Sequence, residues 1–361
     1  MEGLGAQAQA MSPAAMPPGQ KRKLTLLLIL KNLAKVAFLF GFVYGFTLLF
    51  DTSNAIIGIT IASAILMFLN VDLGVRPVQA ASLIFYLFLH VGAFSYISLI
   101  NPYLGVLVNL VAIYLMLTLS GQHVQHKSYF PFLTCYIFAV GSPVDGAAYG
   151  YRMLGLAAGG LLVALVYLVR HHKGKQTRSI LDIFKEIHFS STRHRFIVRM
   201  TAGVVVAMFI GDVFQLNRPA WIAMTVLSLT VPFVHEARKR IVQRVVGTII
   251  GAFVFVILFE YLIPPQFHVW CLLITLFISL FITHYQWQMV FVTINSLNGG
   301  LIFYSANTAI EIRLAWIFVG IGIVIGLNLL SRLNLLERLE DKCYKSYRKH
   351  HIKAVMKHKK P

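Results

Sequence analysis

A series of long apolar stretches separated by short polar turns restricts what this chain can fold into. Apolar residues make up 58% of the 361 residues and charged residues only 12%, whereas soluble domains carry roughly 25% charged residues. A stretch of about 20 apolar residues crosses a bilayer as a helix, because a helix satisfies its own backbone hydrogen bonds in lipid. The sequence therefore predicts an all-α, polytopic membrane protein with about 12 transmembrane helices. The predicted spans are 24–50, 54–70, 77–98, 102–120, 128–141, 150–170, 196–214, 219–234, 242–262, 267–284, 288–304 and 311–332.

The predicted spans fall into two sets of six that resemble each other. The segment NAIIGIT at 54–60 parallels PAWIAMT at 219–225, and Arg152 near the start of the sixth span parallels Arg313 near the start of the twelfth. Because six is an even number, both sets enter the membrane from the same side. We therefore expect two parallel six-helix repeats related by an axis along the membrane normal. The repeats are predicted over residues 24–170 and 196–332.

Three segments lie outside these repeats. Residues 1–23, rich in Ala, Met, Pro and Gly, are predicted to form a disordered cytoplasmic leader. The apolar run that follows reaches Phe50 without a cleavage site, which indicates an anchor and not a signal peptide. Residues 171–195 carry apolar residues at helical spacing between charges, which predicts an amphipathic connector on the cytoplasmic surface. Residues 333–361 are predicted to be a basic cytoplasmic tail.

The charges are distributed as the positive-inside rule expects. With the N-terminus in the cytoplasm, 29 of the 32 Lys and Arg residues fall on the inner side of the predicted map. Both termini are then cytoplasmic in a multi-pass protein of the cell membrane. The net charge of +19 is therefore a sign of topology and does not indicate nucleic-acid binding. We expect the basic loops to contact anionic lipid headgroups.

Cofactor and catalytic motifs are missing from the sequence. The three cysteines form no even framework and no C-x-x-C pair, and the histidines lack cysteine or carboxylate neighbours, so neither a disulfide nor a metal site is predicted. The chain contains no G-x-S-x-G, no H-E-x-x-H and no phosphate-binding loop. The sequence therefore predicts no cofactor, no enzyme activity and no ATP-driven pump.

The stretch 219–251 carries the most informative residues. It reads as an apolar segment, a short basic loop carrying Arg240, and a second apolar segment that begins with Arg244 and continues through Gly247 and Gly251. A cation in such a place costs about 2.5–3.5 kcal/mol at a helix centre and less near its ends. Arg244 therefore either anchors the helix at the interface or contacts an anion. The two glycines let another helix backbone come close.

This stretch resembles the signature of the fusaric-acid-resistance family, whose members include bacterial aromatic-acid exporters. The residues that carry the resemblance are Trp221, Met224, Thr225, Arg244, Gly247, Thr248 and Gly251. Plant aluminium-activated malate channels have a similar pattern, with Asn where this chain has Gln243. The chain departs from full-length exporters in its short connector and tail, and its first repeat lacks the Gly-Thr motif.

The resemblance implies that an anion path is lined by the basic turn, the Gly-Thr motif and an arginine near the start of the sixth span of each repeat. A guanidinium replaces the water that a carboxylate loses, since its fork of donors fits the carboxylate. The alternative for the arginines is an interfacial position. Trp221 either packs against an aromatic substrate or anchors the interface. The substrate-binding candidates are Arg152, Trp221, Arg240, Arg244, Thr248 and Arg313.

Two titratable residues are candidates for proton coupling. His90 lies in the middle of the third span, where it either relays protons or makes a hydrogen bond to a neighbouring helix. Asp212 ends the seventh span, where it either couples protons or faces the outer loop.

These observations predict a transporter of organic anions such as aromatic carboxylates, expected to export them and to be driven by the proton gradient. An uncoupled anion channel is the first alternative, because the same arginines would serve it. A protein of envelope-lipid metabolism is the second. The sequence leaves a homo-oligomer open.

Overall fold

The computed structural model describes residues 18–122, 124–174, 176–188, 191–301 and 304–332. These residues are helical between their turns and contain no strand, which confirms the predicted all-α fold. The helices of the first set are α1 Pro18–Phe50, α2 Ala55–Phe68, α3 Pro77–Ser98, α4 Pro102–Ser120, α5 Phe130–Gly141 and α6 Gly146–His171. The short helix α7, Ile180–Lys185, follows in the connector. The second set comprises α8 Thr192–Val213, α9 Ala220–Leu229, α10 Val234–Val256, α11 His268–Ser279, α12 Tyr285–Gly300 and α13 Ala306–Arg332.

Seven helices of the described part are long and apolar enough to cross a membrane. They are α1, α3, α4, α6, α8, α10 together with the π-helical turn Ile257–Leu262, and α13. The apolar helices α2, α5, α9 and α11 are shorter. The chain is therefore a multi-pass membrane protein. Each of the twelve predicted spans overlaps a helix, but twelve membrane crossings stay a prediction.

The helices of the two sets share some neighbours, but the third helix packs mainly on the sixth in the first set and mainly on the fifth in the second set. In the first set α2 packs against α1 and α6, and in the second set α9 packs against α8 and α13. The sets join where α4 packs along α8 and where α11 meets α1. The main core extends over the first set and continues into α8, α9 and α13. A smaller core lies between α10, α11 and α12.

The turns gather at two ends of the bundle. At one end, the Arg76 backbone N–H donates to the Arg178 carbonyl oxygen at 2.9 Å, and the Arg193 guanidinium donates to the Gly121 carbonyl oxygen at 3.1 Å. We call it the basic end, because it carries the cationic connector. At the opposite end, the Trp316 ring N–H donates to the Asn217 carbonyl oxygen at 2.7 Å.

The predicted connector helix is short and is bound to the basic end. Ser179 and Asp182 form a capping box at the start of α7, and the Gln79 side chain accepts a hydrogen bond from the Ile180 N–H at 3.1 Å. Ile183 is fully buried in the main core, so this face of the connector packs on protein. Leu181 on α7 is 68% exposed.

Two predicted boundaries were wrong. The basic loop expected over 235–244 is helical, because α10 already begins at Val234; its Glu, Ala, Arg and Lys residues are strong helix formers. Only the turn at 230–233, which contains Pro232, separates α9 from α10. The predicted leader also ends earlier, since α1 begins at Pro18. The rest of the leader, 1–17, and the tail, 333–361, lie outside the described residues.

Two glycines on α10, Gly247 and Gly251, let this helix lie in close contact with α12. The two helices run parallel. A Cβ on Gly247 would lie 2.6 Å from the Gln286 carbonyl oxygen, and a Cβ on Gly251 would lie 2.7 Å from the Val290 carbonyl oxygen. Backbone atoms this close cannot be displaced by a rotamer change, so any side chain at these positions separates the helices.

Gly247→Ala should therefore lower folding stability by about 1–3 kcal/mol, a typical cost of overpacking, measured as thermal unfolding in detergent. Gly322→Ala on α13 is the matched control, because a Cβ there meets nothing within 4 Å and Ala favours a helix over Gly. Equal stability of the two variants would contradict the close approach of α10 and α12.

Candidate functional site

Arg244 is buried inside the second set of helices. It lies on α10, ten residues beyond the start of the helix, and is only 3% exposed. Its Nη1 donates to the Met289 thioether sulfur of α12 at 2.6 Å, which is a weak acceptor. Its Nε is buried and has no hydrogen-bond partner. The donors of this guanidinium are therefore poorly satisfied.

Arg313 reaches the same region from the opposite end of the bundle. It lies in the second turn of α13 and is 3% exposed. Its Cζ lies 5.0 Å from the ring centroid of Trp221, at the start of α9, and its Nε is buried without a partner. The charges of Arg244 and Arg313 are close enough to repel each other.

Neither guanidinium is paired with an acid among the residues that the structure describes. In the described part of the chain, the ion pairs are Arg178–Glu186 and Lys185–Asp182, both in the connector. Glu311, two residues from Arg313, is exposed and forms no such pair with it. Unpaired buried charges cost several kcal/mol each. Two of them side by side therefore form a site whose charge is balanced when an anion is present.

Arg240 and Tyr285 extend this site toward the basic end. Arg240 lies one turn before Arg244, and its Cζ is 5.3 Å from the ring centroid of Tyr285. Its Nη1 also lies 3.5 Å from the Ser228 carbonyl oxygen. Burial lowers the pKa of Lys127, and the positive charge of Arg240 lowers that pKa further. Arg240 therefore lies beside the loop that joins α4 and α5 of the first set.

Two hydroxyl groups complete the site. The Tyr285 hydroxyl is buried beside Arg244 and interacts with it both electrostatically and as a hydrogen-bonding group, and no acceptor for its own O–H lies among the described residues. The Thr248 hydroxyl, one turn beyond Arg244 on α10, is also buried without a partner. We call the whole group the arginine cluster. It consists of Trp221, Arg240, Arg244, Thr248, Tyr285 and Arg313.

The chemistry of the arginine cluster suits an organic anion. It presents guanidinium and hydroxyl donors without acceptors, and buried donors without partners are rare and costly. The rings of Trp221 and Tyr285 already hold cations against their faces, and they offer apolar surface to a flat substrate. The unpartnered atoms are out of reach of water in this conformation, so an anion can enter only when the helices move.

Arg152 has a different environment, although it also lies near the start of the sixth helix of its set. Its Nε donates to Asn54 Oδ1 at 2.8 Å, and its Nη1 donates to the Ala139 carbonyl oxygen at 3.0 Å. Asn54 in turn donates to the carbonyl oxygens of Phe50 and Ala148. These bonds join α1, α5 and α6 and place Arg152 in a network that holds the first set together, although its Nη2 is buried without a hydrogen-bond partner.

The two candidate proton-coupling residues also lie outside the arginine cluster. His90 is buried on α3, where its Nε2 lies 3.1 Å from the Ala112 carbonyl oxygen of α4 and its ring stacks on Phe94 at 4.1 Å. Asp212 is half-buried near the end of α8 and interacts electrostatically with Tyr136 of α5. Their proposed roles in coupling stay predictions.

Two residues of the site were missed in the sequence. Tyr285 and Met289 lie on α12, whose span was predicted to begin only at residue 288. The topology gave one signal. The third and fifth spans of a set cross the membrane in the same direction, so the fifth predicted span of the second set begins at about the same depth as the third predicted span, near whose start Arg244 lies. The close contact through Gly247 then brings the two helices together.

These features define an all-helical, multi-pass membrane protein with a buried cationic site. Residues 206–327, which contain the whole arginine cluster, match the model for fusaric acid resistance protein-like sequences. A segment of 100 residues is 33% identical to "Uncharacterized protein YhfK" of Escherichia coli (strain K12). That segment makes up 27% of this chain and 14% of the relative. No solved structure matches the chain. Neither match concerns the malate channels, so the similarity to them stays a prediction.

Proposed function

We propose that this protein transports organic anions such as aromatic carboxylates across the cell membrane, and that it exports them. The observation that carries the proposal is the pair of buried guanidinium groups, Arg244 and Arg313, neither of which is paired with an acid in the described part of the chain. The match of residues 206–327 to the fusaric acid resistance-like model also favours a membrane transporter.

The proposed architecture has twelve membrane helices in two parallel repeats, with the basic end in the cytoplasm. The similar packing of α2 and α9 within their sets supports the repeats. The positive-inside rule supports the orientation, because the cationic connector binds at the basic end and such segments lie in the cytoplasm. Arg240 then lies at the cytoplasmic mouth, and Arg244 and Arg313 lie deeper, where they bind the anion together. Transport requires both strong binding and release, which successive sites provide.

The charge of the site indicates which anions fit it best. Two guanidinium groups without an acid need two negative charges for neutrality, and we expect a dianion such as phthalate to bind more tightly than benzoate. The rings of Trp221 and Tyr285 lie beside the cations and favour an aromatic anion over an aliphatic one of equal charge.

A flux assay tests this function. The protein is reconstituted into liposomes loaded with phthalate, and efflux is measured against protein-free liposomes with the membrane potential clamped. We expect protein-dependent efflux that an inward proton gradient accelerates. Absence of protein-dependent flux for phthalate, benzoate and benzenesulfonate alike would contradict transport and favour a role in envelope-lipid metabolism.

An uncoupled anion channel is the second candidate, and one observation favours it. Neither His90 nor Asp212 adjoins the arginine cluster, since His90 contacts Ala112 and Asp212 interacts with Tyr136. In the same liposomes, a channel would carry a current that follows the voltage and ignores the pH gradient.

A further inference from the structure

Tyr285 interacts with two cations of the arginine cluster. Arg240 and Arg244 are one helical turn apart on α10, and both interact with this one side chain. The Tyr285 ring lies against the Arg240 guanidinium at 5.3 Å. Its hydroxyl is buried beside Arg244 and interacts with that guanidinium, while its own O–H has no acceptor among the described residues. An anion that moves from one arginine to the other must pass this hydroxyl.

The backbone around Tyr285 also favours an anion. Tyr285 is the first residue of α12, a helix of 16 residues whose N-cap side chain, His284, makes no capping hydrogen bond. The first backbone N–H groups of a helix lack partners inside the helix, and the helix dipole makes this end positive. Since α12 runs parallel to α10 and meets Gly247 through Gln286, this end lies at the depth of Arg244, whose Nε is buried and unpartnered.

The contact between Arg244 and Met289 is one that a stronger acceptor can replace. Met289 lies one turn beyond Tyr285 on α12, and its thioether is the acceptor that Arg244 contacts. A thioether accepts hydrogen bonds weakly, so the arginine is held near Tyr285 and is released at little cost when a stronger acceptor arrives.

We propose that Tyr285 is a specificity-determining residue at the cytoplasmic mouth of the anion route, an inference that rests on the proposed transport function. Its hydroxyl donates a hydrogen bond to an anion oxygen while Arg244 turns from Met289 to the same anion. The ring keeps Arg240 extended toward the incoming anion. Anions that offer oxygen acceptors are therefore favoured over halides of the same charge.

Removal of the single hydroxyl tests this role. Tyr285→Phe keeps the ring and should raise the KM for phthalate presented from the cytoplasmic side about tenfold or more, the usual effect of losing a hydrogen bond to a charged group. The KM from the other side should change less than twofold. Tyr261→Phe is the matched control, because Tyr261 is 78% exposed at the far end of α10. Right-side-out and inside-out vesicles give the two orientations, and thermal unfolding in detergent checks that both variants are folded.

The outcomes separate this inference from the transport function itself. If wild-type protein moves phthalate and Arg244→Met does not, but Tyr285→Phe behaves as wild type from both sides, the role of Tyr285 is wrong and transport stands. An equal rise of KM from both sides would overturn its place at the cytoplasmic mouth. If Tyr285→Phe does not fold, Tyr285→Met also removes the donor, and an unchanged ratio of phthalate to chloride transport in that variant would likewise overturn the proposal.

Discussion

Arg244→Met should abolish anion transport and, at the same time, raise the thermal stability of the protein in detergent. Loss of a bidentate, charge-assisted contact to the anion costs about 3 kcal/mol, which corresponds to a fall in kcat/KM of about 100-fold or more. The gain in stability follows because Arg244 is 3% exposed and has no acid paired to it. A methionine replaces the aliphatic part of the arginine side chain without the cost of burying a charge. Transport is measured as phthalate flux into liposomes and stability as the apparent Tm.

The controls distinguish a binding role from general electrostatics. Arg238→Gln removes a positive charge from the same helix at an exposed position, and we expect its flux to be nearly that of wild type. Arg244→Lys keeps the charge but loses the fork of donors, so its flux should be intermediate. Normal transport by Arg244→Met would exclude a role of Arg244 in anion binding. Loss of both stability and transport in this variant would show that Arg244 is a structural residue.

Most of the fold could be predicted because helix boundaries in this chain are set by local sequence. The predicted spans 77–98 and 102–120 coincide with α3 and α4. Pro77 and Pro102 open these helices, where their missing N–H groups have no cost, and Asn101 caps the second one through the Tyr103 N–H. The start of α10 was missed because charged residues were interpreted as a loop, although Arg and Lys are good helix formers.

The candidate site was predictable only in part, for a physical reason. The cations Arg244 and Arg313 are visible in the sequence because a charge in an apolar stretch is rare. Their proximity depends on how α10 and α13 pack, which no local pattern determines. Tyr285 was missed for the same reason, since its role arises from the close contact that Gly247 permits.

The two sets of helices differ in what contacts the arginine of the sixth helix. In the aligned segments NAIIGIT and PAWIAMT, Asn54 corresponds to Pro219. Asn54 accepts a hydrogen bond from Arg152 at 2.8 Å, whereas proline has no side-chain acceptor. Arg313 contacts the Trp221 ring instead. The same arginine is therefore used for structure in the first set and left available to a ligand in the second.

This difference predicts opposite results for matching substitutions. Arg152→Met should lower the apparent Tm by roughly 5 °C or more, because it leaves Asn54 Oδ1 and the Ala139 carbonyl without their donor. Arg313→Met leaves no acceptor unpaired, so it should keep or raise the Tm while the flux of phthalate falls at least tenfold. Both variants are compared by thermal unfolding in detergent and by flux per folded protein in liposomes.

Asn54→Ala supplies the independent check on this comparison. It removes the acceptor of the same bond, so it should reproduce much of the destabilisation by Arg152→Met, and the double variant should be little worse than the more damaging single one. Fully additive losses would show that Arg152 does not act through Asn54. A loss of Tm in Arg313→Met as large as that in Arg152→Met would mean that both arginines are structural, and the anion site would then have to be sought elsewhere in the bundle.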